Sequence, residues 1–99
     1  MDTRYSLQDI LFEWDRTKAT ANLKKHKVHF ETACEAFFDP FVYLLDEEQN
    51  GEEQREKFIG MTLEWNVLCV VYTERQGDVF RIISARPATS IERGYYEEQ

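Results

Sequence analysis

VLCVVYTER (Val67–Arg75), QGD (Gln76–Asp78) and VFRIISAR (Val79–Arg86) form the stretch that decides the fold. Two runs rich in β-branched and aromatic residues flank a Gly-Asp turn, the pattern of an antiparallel hairpin. Turn length leaves two registers open. A two-residue loop sets Glu74 opposite Arg81 and puts Thr73, Arg75, Ser84 and Arg86 on one face; a three-residue loop sets Arg81 beside Thr73 and Arg75. In either register two arginines and at least one hydroxyl share a sheet face, where arginine is costly unless the face is wet or the charge is paired.

Outward from the hairpin, KFIGMTLEW (Lys57–Trp65) and FVYLL (Phe41–Leu45) are further β-prone runs, the former joined to the hairpin through Asn66. ILFEW (Ile10–Trp14) suits a first strand. Asp15 stands where an N-cap belongs, ahead of a helix over Arg16–His26 on which Ala19, Asn22, Leu23 and His26 share a stripe. Lys27 ends it. A second helix covers Glu31–Phe38, with Ala33, Cys34, Phe37 and Phe38 inward, until Asp39-Pro40 stops it. Thr89-Ser90-Ile91-Glu92 has the form of a capping box, which predicts a last helix over Ser90–Glu98. The expected fold is α+β, an antiparallel sheet with N-terminal helices and a C-terminal helix, in a single domain over residues 1–99.

Net charge is −7, against a nucleic-acid partner at face value. Its distribution reverses that. The acids crowd between Asp46 and Lys57, a stretch expected to be a solvated hairpin loop around Gln49–Glu52, while Arg16, Lys18, Lys24, Lys25 and Lys27 cluster early and Arg75, Arg81, Arg86 and Arg93 late. An acidic chain can therefore carry a basic face. The start lacks the basic and apolar regions of a secretory signal, and no apolar run approaches the roughly 20 residues that span a bilayer, so the expected location is cytoplasmic. Cys34 and Cys69 are expected to be reduced core thiols.

A guanidinium stays charged and presents a planar fork that matches phosphate oxygens, so Arg75, Arg81 and Arg86 are candidate phosphate ligands. The competing reading pairs them with Glu74, Asp78, Glu64 and Glu92 on a solvated sheet. His26 is a candidate general acid or base, and Glu74 a second candidate or else a salt-bridge partner of Arg81. No CxxC or HExxH spacing predicts a metal site, and no Gly-rich phosphate loop, GxSxG or dinucleotide fingerprint is present. No cofactor is expected.

FEWD (Phe12–Asp15), the KAxxNxxKH spacing from Lys18 to His26, AFFDP (Ala36–Pro40), Gly51-Glu52, YTER (Tyr72–Arg75), RIISAR (Arg81–Arg86) and the following Ala88, Thr89, Glu92 and Arg93 together resemble the BrnT toxin family over nearly the whole chain. The resemblance implies a RelE-like fold, a metal-independent endoribonuclease that arrests growth, and a heteromeric complex with a BrnA-type antitoxin encoded beside it. Carried over by position, it puts Arg75, Arg81 and Arg86 in or near the RNA site, with Glu74 and His26 as further members; Lys24, Lys25 and Arg93 are expected RNA contacts beside them. The chain departs from the family at Lys27, commonly glycine, and at His29, often a serine that opens the second helix. A non-catalytic module binding an antitoxin-like or regulatory protein is the alternative function.

Overall fold

The computed structural model describes residues 1–46, 48–51 and 53–99, with residues 48–50 by their backbone alone. Ten elements follow in order: β1 (Asp2–Leu7), β2 (Ile10–Asp15), α1 (Arg16–His26), α2 (Phe30–Ala36), β3 (Tyr43–Leu44), β4 (Glu48–Asn50), β5 (Glu53–Met61), β6 (Val67–Arg75), β7 (Val79–Pro87) and α3 (Ser90–Glu97). The main sheet runs β1-β2-β7-β6-β5-β3, with β4 paired to β5. All neighbours are antiparallel except β2 and β7, which are parallel. This corrects the expected all-antiparallel sheet. The chain leaves β2 through two helices and a meander, then returns with β7 running in β2's own direction and Phe12 opposite Phe80.

Strand β1 was not expected. Its Thr3, Tyr5 and Leu7 alternate with Asp2, Arg4 and Ser6, and Gln8 and Asp9 turn the chain with φ of 50° and 67°. That two-residue turn carries no glycine, which is why its hairpin signal is weak. The FVYLL strand shortens to Tyr43–Leu44, and β5 begins earlier and ends earlier than expected, leaving 62–66 as a turn closed by Thr62 N–H donating to Asn66 O at 2.9 Å. The acidic stretch forms the β4–β5 hairpin over its described residues; Glu52 lies outside them.

Alternation sorts the sheet into two faces. Phe12, Trp14, Phe58, Leu68, Val70, Ile82 and Ala85 join Phe30, Ala33, Cys34 and Ala36 in the main core under α1 and α2. The approach is close. A β-carbon at Gly60 would lie 3.0 Å from Ala36 O and 3.2 Å from Ala36 Cβ, so only glycine lets α2 sit there. On the opposite face Ile59, Val67 and Cys69 pack with Tyr43, Met61 and Tyr96 beneath α3. Helix α3 is tied at both ends, by the Thr89–Glu92 capping box and by Tyr96 Oη donating to Asp39 at 2.6 Å. Burial pushes the Asp39 carboxyl up, but bonds from Tyr96 and from the Phe41 and Met61 N–H groups outweigh it and hold the carboxyl below its usual range. Cys34 and Cys69 are buried free thiols, both pushed up by burial.

Asn22 joins the two halves of the molecule. Strand β2 pairs with β7 only from Leu11 to Glu13, leaving the same edge of β7 bare further on. There the buried Asn22 amide replaces a strand: it accepts from Ala85 N–H at 3.1 Å and donates to Ala85 O at 2.8 Å and Val28 O at 3.0 Å. Removing the amide leaves buried backbone groups without partners, each costing about 1–3 kcal/mol. Asn22→Ala should therefore lower unfolding free energy by about 2–4 kcal/mol in urea titrations, with the slope unchanged.

Candidate active site and nucleic-acid interface

The β6–β7 hairpin has the three-residue loop Gln76-Gly77-Asp78, with Gly77 and Asp78 at positive φ. Arg75 is opposite Val79, Glu74 opposite Phe80, and Thr73 opposite Arg81. Thr73, Arg75 and Arg81 thus share the face opposite α1 and α2. A register shift at Val71/Tyr72 leaves Ile83 as an extra residue, after which Ser84 and Arg86 return to that same face, opposite Val71 and Cys69. The three arginines line one face. Glu74 falls on the other by alternation, exposed at the hairpin end, and the Glu74–Arg81 pairing of the shorter loop does not form.

Each arginine is held by carboxylates, though not the expected set. Arg81 Nη1 and Nη2 reach both oxygens of Asp2 at 3.0 Å, and Nη1 donates to Glu13 at 2.7 Å. Asp2 and then Glu13 hold the guanidinium well above its ordinary value despite partial burial, and Arg81 in turn depresses Asp2. Arg86 makes a two-pronged pair with Glu92 at 2.7 and 2.9 Å, which joins β7 to α3. Arg75, 49% exposed, donates to Glu53 at 3.2 Å, its one ion pair among the described residues. The arrangement grades the three from structural to available: Arg81, at 17% exposure, ties three strands, whereas Arg75 meets solvent.

The remaining candidates lie at the other end of the sheet. Arg75 and Val67 are eight positions apart on β6, which is about 26 Å at 3.3 Å per residue. Beside Val67, a cleft of about 400 Å³ is lined by His26, Lys27, His29, Glu64, Asn66 and Arg93, among others. Helix α1 brings His26 there. Asp15 caps its start, accepting from Lys18 N–H at 3.0 Å, and Lys27 closes its end in the left-handed region at φ 62°. His29 N-caps α2 without a side-chain cap bond, and among the described residues neither imidazole has a hydrogen bond or ion pair. Lys24 and Lys25 occupy the last turn of α1, exposed. The structure therefore brings His26 together with Arg93, and Arg75 with Arg81, but holds the two groups apart along β7. Arg86 adjoins the cleft through Pro87.

Among the described residues no group of three or more His, Cys, Asp or Glu is placed to hold a metal ion. No helix there is long and apolar enough to cross a membrane. Sequence reasoning missed Asn22 as an anchor and Asp2 and Glu13 as the partners of Arg81. An asparagine on the inward stripe of α1 was the one available signal for the first.

Residues 14–92 match the family described as the ribonuclease toxin, BrnT, of type II toxin-antitoxin systems. The chain belongs to the BrnT family. Membership makes it a ribonuclease toxin, with RNA as substrate and an antitoxin as partner. The crystal structure of the Brucella abortus ribonuclease toxin BrnT, at 1.1 Å resolution, has a TM-score of 0.50 to this chain at 22% identity, covering 78% of this chain and 94% of that one. That likeness establishes the fold. Comparison with curated protein sequences gives no match.

The Arg86–Glu92 pair has a measurable pH signature. The Arg86 guanidinium holds the Glu92 carboxyl down at about 2, helped by Thr89 N–H and opposed by burial. An unfolded glutamate titrates near about 4.3, so the pair stabilises the fold above that pH and loses its contribution as pH falls toward 2. Glu92→Gln keeps the capping geometry and removes the charge. It should cost at most about 3 kcal/mol at pH 7, and the gap to the parent should shrink between about pH 4.5 and 2 in urea unfolding at stepped pH.

Proposed function

We propose that the RNA lies along β7, from the Arg75–Arg81 end of the sheet past Arg86 to the cleft that holds His26 and Arg93. The observation that carries this reading is the register: it puts three arginines on one face of one hairpin, in line with the cleft. Cleavage then follows the chemistry open to RNA itself. The 2′-hydroxyl loses a proton to a base and attacks phosphorus, the bond to the 5′-oxygen breaks, and that oxygen takes a proton, leaving a cyclic phosphate and a 5′-hydroxyl. Arginines supply charge at the phosphate but make poor bases, because their pKa exceeds 12. We assign the proton transfer to His26, which stands in the cleft with Arg93, whereas Glu74 lies at the opposite end of the sheet. Lys24, Lys25 and Arg93 hold flanking phosphates. In this reading the enzyme needs no metal, works in the cytoplasm and is neutralised by a BrnA-type antitoxin that covers the arginine face.

The carboxylates beside the arginines fit the same reading. A guanidinium already fixed by Glu92 or Asp2 loses little freedom when RNA binds, and its unused N–H groups keep their direction. Phosphate most readily displaces the exposed contact of Arg75 to Glu53.

Arg75→Lys keeps the charge and loses the fork. Arg75 stands about 26 Å along β6 from the cleft, so it grips a flanking phosphate: RNA binding by this variant should weaken by roughly threefold to tenfold, while cleavage at saturating RNA and melting temperature stay near those of the parent. Arg81→Lys should lose stability as well, because Glu13 and Asp2 lose their shared partner. Undiminished RNA binding by Arg75→Lys, or loss of antitoxin binding in its place, would transfer these arginines to the interaction-module function.

A further inference from the structure

We propose that the 62–66 turn and the neighbouring cleft form a subsite for single-stranded RNA, in which a phosphate sits among Lys27, His29 and Arg93 and a neighbouring base stacks on Trp65. This deepens the ribonuclease reading and rests on it. Two backbone observations carry the inference. Lys27 and Trp65 both adopt the left-handed region, at φ 62° and 70°, where a side chain with a β-carbon costs on the order of 1 kcal/mol. At Lys27 a glycine would end α1 with less strain. The Trp65 side chain is 79% exposed and lines, with Phe38, Pro40, Met61 and Leu63, a second cleft of about 300 Å³. The 62–66 turn separates two clefts: Glu64 and Asn66 line the one that Lys27 lines from α1, and Trp65 between them in sequence lines the other, so a strand crossing the turn meets the cations on one side and the indole on the other.

The charge of that cleft suits a phosphodiester. Lys27, Arg93 and two imidazoles face Glu64, the one carboxylate among the lining residues. Arg93 is barely engaged, its contact to Glu97 being 3.5 Å long and exposed on both sides. His29 stands at the rim, exposed, with its ring unused by the α2 cap. The exposed indole supplies what a single strand offers besides charge, a flat apolar base. A duplex keeps its bases stacked on one another and does not fit this arrangement. The turn therefore reads unpaired RNA, with His26 in the same cleft beside the bound phosphate.

The test uses the full chain and a 2′-O-methyl hexanucleotide, which lacks the 2′-hydroxyl and is not cut. Trp14 is 3% exposed, so iodide quenching of tryptophan emission reports on Trp65. The oligonucleotide should protect Trp65 from iodide, and Trp65→Ala should weaken its binding about tenfold. Lys27→Gly should raise the melting temperature, because glycine suits the conformation, yet weaken binding and lower the slope of log affinity against log salt by about 0.7. Binding that leaves Trp65 open to iodide, or parent-like affinity in both variants, overturns the subsite. Protection by the antitoxin alone does so too, and gives the turn to the protein partner. The unmodified hexanucleotide, run alongside, tests the underlying reading: cleavage without these binding losses rejects the subsite only, and absence of cleavage by the parent rejects the ribonuclease reading itself.

Discussion

The Asn22 amide is the constraint on which the placement of everything else depends. A strand beside β7 would have satisfied Ala85 through its backbone, but β2 has already turned into α1 by that point. One side chain supplies the missing donor and acceptor and adds a third bond to Val28 O. Helix α1 is thereby fixed both along and across β7, and its end, with His26 and Lys27, arrives at the β5–β6 turn. Leucine would fill the same space and satisfy none of these groups. The spacing from Lys18 to His26 is thus a packing requirement as much as a chemical one.

The acidity of the chain looks opposed to RNA binding until the partners of the arginines are named. Asp2, Glu13, Glu53 and Glu92 are spent within the fold, each against a guanidinium that would otherwise stand on a sheet face without a counter-ion. Such pairs are worth little on an open surface but more where Glu13 and Arg81 are largely withdrawn from water. The same contacts fix the direction of each fork. What they take from the charge of the site, they return as order, and the imidazole cleft at the other end keeps its groups uncommitted.

Legibility followed how local each signal was. The caps at Asp15 and Thr89, the stop at Lys27 and the sheet hairpin were readable because each depends on residues within four positions. Loop length decided which residue faces Arg81, and a one-residue difference in a turn leaves no trace in the flanking pattern. The N-terminal hairpin was missed because Gln8-Asp9 has no glycine, and the parallel β2–β7 pairing because strand direction is not written in alternation. Of the site, the arginines and His26 were named from sequence. Their separation along β7 was not, since it follows from the bulge at Ile83 and the docking of α1 on Ala85.

Strand β7 occupies the middle of the sheet yet is made almost last. Asp2 meets Arg81 across 79 positions of chain, and β2 has only β1 beside it until Val79–Arg81 exist. At about 5–20 residues per second, synthesis leaves roughly 3 to 13 s between the completion of β2 and the arrival of its central neighbour. During that interval the N-terminal hairpin has an open edge and α1 lacks its anchor, because Ala85 is also absent. Contacts this distant in sequence make folding slow to begin and hard to begin early. A ribosome still extending the chain carries no assembled arginine face; that surface exists only in the finished toxin.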